Sequence, residues 1–600
     1  MDELQKHIEL LEAEIAQLPI GYISRKTIRG RTKLYHQWME NGKKKSKYLD
    51  DDSAAVLAKQ IEKRRVLQQE LRKAKAQLPR DHVKPTLQAP PASFKTSVLV
   101  GDALRNFTAP VASLQKRDCY SELSRYLNSP VVSKVFILFG LRRTGKTTLI
   151  RQAIGEMGSD AFSKTAFIQI RSGNTLAEVD QDMRALSAAG FRYVFLDEVT
   201  LLEDFIEGAA LFSDIYAASG IKLVLSGTDS LGFLFSEDEQ LYDRCTLLHT
   251  TFIPYREFAR VLGIYGIDEY IRYGGTMSLG GVHYNEPVTF ASKESADEYV
   301  DSSIARNIQH SLRFYQHEGH FRSLQGLYER GELTSAINRI VEDINHRFTI
   351  DVLTRDFISH DLGISSRNLL RDREHPTDIL SRIDIAAFTE GLKKALEILN
   401  LSEQTVEITD AHRAEIKEYL DLLDLTVDIP TEVLPVRNQK EFRTAISQPG
   451  LRYAQAEALI RQLMQDEVFQ NISASDRAWI ISRILDEIKG RMMEDIVLLE
   501  TTMAYPRMQV FRLQFAVGEF DMVIADPEKV TCEIYEIKHS DQAVPKQYKH
   551  LIDKTKCNAV AFRYGTITRK AVIYRGASHQ DNEIEYLNVE EYLIGLTQKK

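Results

Sequence analysis

The chain has 600 residues, 43% hydrophobic and 27% charged, an ordinary globular composition with room for roughly three to five domains. Its net charge of −8 excludes a chain that is basic throughout, so any nucleic-acid contact has to be local. Cys119, Cys245, Cys532 and Cys557 lack C-x-x-C spacing, no signal-peptide pattern opens the chain, and no apolar run approaches the ~18 residues of a membrane span. A cytoplasmic protein with no zinc site, no disulfide framework and no membrane partner is expected.

Residues 1–78 read as a separate unit. Leu4, Ile8, Leu11, Ile15 and Leu18 recur at alternating spacings of four and three, a short coiled-coil stripe that Pro19 ends. Three strands are predicted at 21–28, 32–39 and 43–49, with Asn41-Gly42 as a hairpin turn, and a second helix at 53–77. The expected shape is a helical hairpin carrying a small three-stranded sheet. Between Ile20 and Tyr48 nine bases face one acid, Glu40, a local charge of +8. Arg25, Lys26, Arg31, Lys33, Lys43, Lys44, Lys45 and Lys47, interleaved with aromatics including Trp38, form the candidate nucleic-acid surface. The sheet resembles the arm-type DNA-binding domains of integrases. A charged edge that blocks strand pairing is the structural alternative, and an RNA or protein partner a third.

Pro79, Pro85, Pro90 and Pro91 mark a linker over 79–96. The apolar run Phe136–Phe139 then feeds Gly140-Leu-Arg-Arg-Thr144-Gly145-Lys146-Thr147-Thr148. The G-x-x-x-x-G-K-T spacing lets backbone amides turn inward around phosphate oxygens; Lys146 reaches the β/γ-phosphates and the Thr147 hydroxyl holds Mg²⁺. A second buried strand ends in Asp197-Glu198, Asp197 suited to the Mg²⁺ shell and Glu198 to an attacking water, a pair that favours hydrolysis. Thr228 closes a third strand as a γ-phosphate sensor, and Arg244, ahead of the next, is a candidate arginine finger for a neighbouring subunit.

A P-loop core over 97–254 and a helical lid over 255–332, with Arg306 as a further contact, follow from this reading. In 333–447, Leu362-Gly-Ile-Ser365 reads as the turn of a helix-turn-helix, and 418–430 as a later helix and strand of a winged helix, with an insertion at roughly 375–412. The last segment, 448–600, places Glu494 on a helix, Asp521 on a hairpin strand, and Glu536 and Lys538 two apart on one strand face. Two carboxylates and a lysine are what metal-dependent phosphodiester hydrolysis requires.

Gly140–Leu149, Leu196–Val199, Ser226–Ser230 and Pro254-Tyr-Arg-Glu-Phe258, extended by 270–275 and 299–308, resemble the prokaryotic AAA-type ATPases of the additional-strand class. Asp521, Glu536 and Lys538 match the D-x(n)-E-x-K pattern of PD-(D/E)xK nucleases; Glu494 matches that superfamily's helix acid, and Gln547 and Tyr548 its auxiliary polar positions. The resemblance implies a multidomain α/β fold: a P-loop parallel sheet with lid, a winged helix and a nuclease-like C-terminal domain. It implies ATP, Mg²⁺, Mn²⁺ at the nuclease site, a homo-oligomer, and nucleic acid, DNA first, as substrate. Three readings stay open: an ATP-coupled nuclease in defence or mobile-element biology; an ATPase switch or remodeller whose nuclease-like domain binds DNA or protein without cutting; and a protein-interaction switch.

Overall fold

The computed structural model describes residues 11, 14, 17–19, 22–28, 31–40, 43–77, 94–130, 133–202, 204–228, 244–277, 290, 292–314, 321–352, 408–434, 440–463 and 473–596. The chain forms two compact units, Met1–Thr86 and Leu87–Lys600. Among the described residues no helix is long and apolar enough to cross a membrane.

In the first unit, β1 (Tyr22–Ile28), β2 (Arg31–Glu40) and β3 (Lys43–Leu49) form an antiparallel sheet in that order. Helix α1 (Asp51–Gln77) buries Ala54 and Ile61, seven residues apart and so on one face, together with Leu67. Arg64 donates to the Leu18 carbonyl at 2.6 Å, and Lys63 pairs with Glu14, joining α1 to the end of the first helical stretch. The register divides the candidate bases between the two faces of the sheet. Leu34 pairs with Arg25, His36 with Lys47, Trp38 with Lys45 and Glu40 with Lys43, whereas Lys26 pairs with Lys33, Ile28 with Arg31 and Met39 with Lys44. Because alternate strand positions belong to opposite faces, Arg25, Lys43, Lys45 and Lys47 hold register positions of one face and Lys26, Arg31, Lys33 and Lys44 of the other.

The second unit opens on a six-stranded sheet of β4 (Ser97–Leu99), β5 (Val135–Phe139), β6 (Thr165–Gln169), β7 (Tyr193–Asp197), β8 (Lys222–Gly227) and β9 (Cys245–His249). Its order is β4-β6-β7-β8-β5-β9, with β4 antiparallel and the rest parallel. Every residue of β5 is buried, which is why Val-Phe-Ile-Leu-Phe reads as an unbroken apolar run. Helix α2 (Lys146–Gly155) follows the glycine loop at the C-terminal edge of β5. Beyond the sheet lie α3 (Tyr255–Leu262), α4 (Ile267–Tyr273), α5 (Arg306–Phe314) and α6 (Leu333–Asp351).

The C-terminal part combines α7 (Asp410–Leu422), β10 (Thr426–Val433), β11 (Lys440–Ile446), α8 (Pro449–Leu463), α9 (Ala474–Ala504), β12 (Gln509–Gln514), β13 (Glu519–Asp526), β14 (Thr531–Lys538), β15 (Thr566–Tyr574), β16 (His579–Asp581), β17 (Ile584–Asn588) and α10 (Val589–Gly595). The strands make one mixed sheet ordered β11-β10-β12-β13-β14-β15-β17-β16.

Two domain expectations change here. The helix and strand expected to belong to a winged helix are α7 and β10, but the β10–β11 hairpin is the edge of the large sheet, with Thr431 of β10 pairing in parallel with Arg512 of β12. Pairing with β12 satisfies backbone groups that a free two-stranded wing leaves at its edge. The helix-turn-helix at 353–370 and most of the insertion lie outside the described residues. Nor do the first lid helices stand alone: Tyr255, Phe258 and Tyr270 share one buried core with Ile484, Met493 and Val497 of α9 and Tyr535 of β14.

Candidate nucleotide site and carboxylate cleft

The loop between β5 and α2 needs its glycines for geometric reasons. A Cβ on Gly140 would stand 2.7 Å from Thr250 Oγ1, and Gly145 has φ 90°, in the left-handed region. Thr144 Oγ1 donates to the Leu141 carbonyl at 2.9 Å and closes the loop on itself. Beside it lies a cleft of about 550 Å³ lined by Gly145, Lys146, Thr147, Thr148, Glu198 and Thr228.

Lys146 is buried, its Nζ donating to the Gly140 and Leu141 carbonyls at 2.8 Å each; burial lowers its pKa. Those weak carbonyl partners are what an anionic phosphate would replace. Thr147 Oγ1 donates to Asp197 Oδ2 at 2.8 Å, and Ser226 to the other Asp197 oxygen. The hydroxyl and carboxylate expected to share Mg²⁺ are thus already adjacent, and this donor set fits that ion. Glu198 has φ 59°, a left-handed conformation that costs about 1–3 kcal/mol in a non-glycine residue and that is concentrated at functional sites. Burial raises its pKa, Lys146 opposing, and Thr228 Oγ1 donates to it at 3.3 Å.

Four further residues brace this site, none of them assigned a role in it from the sequence. Arg117 is buried; its Nη1 donates to the Thr144 and Thr250 carbonyls at 2.8 Å, its Nη2 to the Phe252 carbonyl at 2.8 Å, and its Nε to Glu257 at 2.6 Å. Glu257 lies in the Pro254–Phe258 motif, but its partner is 140 positions away. Asn307 donates to the Thr228 carbonyl at 2.7 Å, whereas the expected contact, its neighbour Arg306, is exposed. Tyr299 donates to the Arg142 carbonyl at 3.3 Å.

Arg244 is not in the cleft of its own chain. Cys245 is level with Val135 at the start of β5, so Arg244 lies at the sheet edge opposite the glycine loop, where it pairs with Asp214 at 2.9 Å.

A second cleft, about 950 Å³, opens over β13 and β14. Met522 pairs with Tyr535, so one step along each strand sets Asp521 opposite Glu536. Both carboxylates are buried, and Lys538 Nζ lies 2.7 Å from each. Asp521 Oδ2 also accepts from the Ile537 amide at 2.7 Å. The two acids split: Lys538 and the amide lower Asp521 against its burial, while burial pushes Glu536 up to about 8. The environment thus sets the two neighbouring carboxyls apart. Glu536 Oε1 is buried without a hydrogen-bond partner at the floor of this cleft.

Glu494 has its expected place on the helix but is held by two arginines. It reaches the cleft wall, but its Oε2 accepts from Arg491 and Arg512 at 2.6 Å each, and burial raises it to about 7. Among the described residues no three His, Cys, Asp or Glu side chains converge on a metal position. The orphaned Glu536 oxygen beside Asp521 fits a divalent cation; Glu494 does not complete the set. Gln547 lines the same cleft, and Tyr548 is bonded to Asp581 at 3.3 Å.

Two contacts tie α3 and α4 to the C-terminal part. Asp268 of α4 contacts His539, next to Lys538, at 2.8 Å. The Tyr255 amide of α3 donates to Glu500 of α9 at 2.6 Å.

Residues 132–259 match the family model described as AAA domain, and residues 1–59 match a Domain of unknown function (DUF6788). No curated protein matches the chain. Among solved structures it is similar to S. cerevisiae Hsp104 in a casein complex (12% identity, TM-score 0.25, 49% of this chain and 52% of that one). The S. cerevisiae Hsp104-ADP complex matches at 13% identity and TM-score 0.26, over 68% and 62%. The Aeropyrum pernix ORC1 protein in complex with DNA matches at 13% and TM-score 0.19, over 62% and 94%. The chain spans between half and two thirds of those Hsp104 chains. Residues 132–259, which carry the glycine loop and the Asp197-Glu198 strand, are therefore an AAA-type P-loop domain.

Proposed function

We propose that this chain hydrolyses ATP in its AAA-type domain and couples nucleotide state to a metal-dependent nuclease acting on nucleic acid, DNA first, in defence or mobile-element biology. Lys146 neutralises phosphate charge, Thr147 and Asp197 hold Mg²⁺, Glu198 orients water, and Thr228 reports the γ-phosphate to α5 through Asn307. Arg244, on the far sheet edge, acts only on a neighbour's nucleotide, so the reading includes a homo-oligomer. The +8 segment of the N-terminal unit supplies nucleic-acid affinity on both of its faces.

The observation that carries the nuclease reading is the orphaned Glu536 oxygen beside Asp521, with Lys538 between the acids in an open cleft. A bound Mg²⁺ or Mn²⁺ supplies charge neutralisation and a more acidic water there. Asp521 and Glu536 offer oxygens to it, and Lys538, once displaced from them, is positioned for the scissile phosphate. The test is cleavage of single-stranded, duplex and branched DNA with Mn²⁺, with and without ATP; cutting that survives Glu536→Ala refutes the assignment.

A second reading, an ATPase switch or remodeller whose nuclease-like domain binds DNA or a protein partner without cutting, is favoured by the missing third carboxylate, since Glu494 is clamped by two arginines. Retained DNA binding with no cleavage under any of these conditions selects it.

A further inference from the structure

Next to the carboxylate cleft is a smaller concavity, about 210 Å³, lined by Arg443 of β11, Arg491 of α9 and Arg512 of β12. Arg491 and Gln514 line both spaces. A fourth guanidinium, Arg452, lies behind it, stacked 3.5 Å from the centre of the Phe348 ring. Arg491 and Arg512 share Glu494, with Glu519 a more distant partner of Arg491 at 3.6 Å, and Arg443 and Arg452 share Asp495. Asp351 and Glu441 also line the pocket, Glu441 exposed and Asp351 half-buried, where water weakens their fields.

An unmade hydrogen bond marks this cluster as incomplete. The Arg512 side chain is 3% exposed, yet its Nε has no hydrogen-bond partner, a vacancy that costs about 1–3 kcal/mol in a buried donor. Burial, with Arg512, Arg452 and Arg491 around it, also lowers Arg443 to about 10 despite Asp495. Guanidinium forks from three different elements suit a tetrahedral oxyanion better than a planar carboxylate.

We propose that this arginine pocket binds a phosphate group, presented either by the 5′ end of a nucleic-acid strand or as a free anion. Because Arg491 and Gln514 border both spaces, a strand in the large cleft passes within reach of it. The proposal does not depend on whether Asp521 and Glu536 cut.

The test uses the full chain carrying Lys146→Ala, which removes the competing phosphate site, with EDTA to prevent cleavage. One arm measures thermal unfolding with inorganic phosphate against chloride at equal ionic strength. The other measures fluorescence anisotropy of a 5′-phosphorylated and a 5′-hydroxyl oligothymidylate. Phosphate at ten times its Kd should raise Tm by about 2–4 °C. A strand-borne phosphate should bind about tenfold more tightly than the hydroxyl end. Either gain should vanish in Arg512→Gln and in Phe442→Glu. The second variant places an acid at the pocket mouth on a side chain 62% exposed, and so disturbs no buried pair. A gain in the first arm alone assigns the free anion, and one in the second the nucleic-acid end. No gain in either arm, or gains that Phe442→Glu leaves intact, overturn the proposal.

Discussion

Arg117 Nη1 donates to the Thr144 carbonyl at 2.8 Å. The carbonyl of Thr144 and the N–H of Gly145 belong to one planar trans peptide and point in opposite directions. Holding the carbonyl on Arg117 therefore fixes the Gly145 amide facing away from Arg117, in the loop that lines the cleft. Glu257, fixed by the same guanidinium at 2.6 Å, ties this orientation to α3.

Arg117→Lys keeps the charge but loses the fork that spans several acceptors. Nucleotide Kd should rise by about tenfold while kcat at saturation changes less, because the loss falls on ground-state and transition-state binding alike. Arg117→Ala should instead destabilise the fold by about 3–5 kcal/mol, by leaving Glu257 buried and unpaired. Titration of a fluorescent ATP analogue and thermal unfolding separate the two effects. An unchanged Kd in Arg117→Lys would refute the role.

Lys146→Ala should abolish tight nucleotide binding. Glu198→Gln should preserve it and slow hydrolysis by about 100-fold or more, since the glutamate acts on the water and not on the phosphates. Parallel measurements of binding and steady-state turnover check both, and wild-type turnover in Glu198→Gln refutes the assignment.

What the sequence made legible is whatever lies close together along the chain. Gly140 to Thr148 and Tyr193 to Glu198 are contiguous because a buried parallel strand must be apolar and its ligand-facing end polar. Glu536 and Lys538 are visible as a pair because strand alternation puts them on one face. Arg117 carries no such signal: its four acceptors come from the glycine loop, the end of β9 and α3, and only tertiary packing brings them together. Glu494 fails for the opposite reason. Its position on the helix is as expected, but Arg512 arrives from β12 and occupies the carboxylate that the pattern assigned to metal. The split of the N-terminal bases between two faces follows from register, which net charge cannot reveal.

Asp521→Ala and Glu536→Ala should each abolish metal-dependent cutting and the stabilisation of the protein by Mn²⁺, while ATP turnover stays within about twofold. Saturating Mn²⁺ at 100 times its Kd should add about 2.7 kcal/mol to the wild type. Lys538→Ala should lose cutting yet retain Mn²⁺ stabilisation, because it removes a cation and no ligand. Calorimetry with Mn²⁺ and a cleavage assay distinguish the three, and equal Mn²⁺ stabilisation in Glu536→Ala would exclude that residue as a ligand.

Lys45 and Lys47 are exposed on β3 at register positions of the same face. If they meet phosphates, each change to alanine should flatten the dependence of log K on log salt by about one unit, whatever the sequence of the DNA. Anisotropy titrations of the full chain across a salt series measure this. A slope that neither change alters would favour a charged strand edge with no nucleic-acid role.

Glu500 couples the two halves of the second unit and should make its stability depend on pH. Its carboxyl accepts from the Tyr255 amide, its Oε2 is buried without a partner, and burial pushes it up to about 8 from an ordinary 4.5. Between pH 4.5 and 8 the folded state therefore keeps a proton that the unfolded chain releases. Stability from this group is fully present below pH 4.5 and is lost as pH rises through 8. Glu500→Gln keeps an acceptor for Tyr255 and removes the ionisation, so it should be the more stable protein at pH 8.5 by about 2–4 kcal/mol and nearly equal to wild type at pH 5. Since α9 also carries Glu494 and α3 also carries Glu257, ionisation at this contact should weaken the strut that the α3–α9 hydrogen bond makes. Thermal unfolding of both proteins from pH 5 to 8.5 decides the matter: parallel Tm curves would mean that Glu500 is ionised at neutral pH, and that the strut is not pH-sensitive.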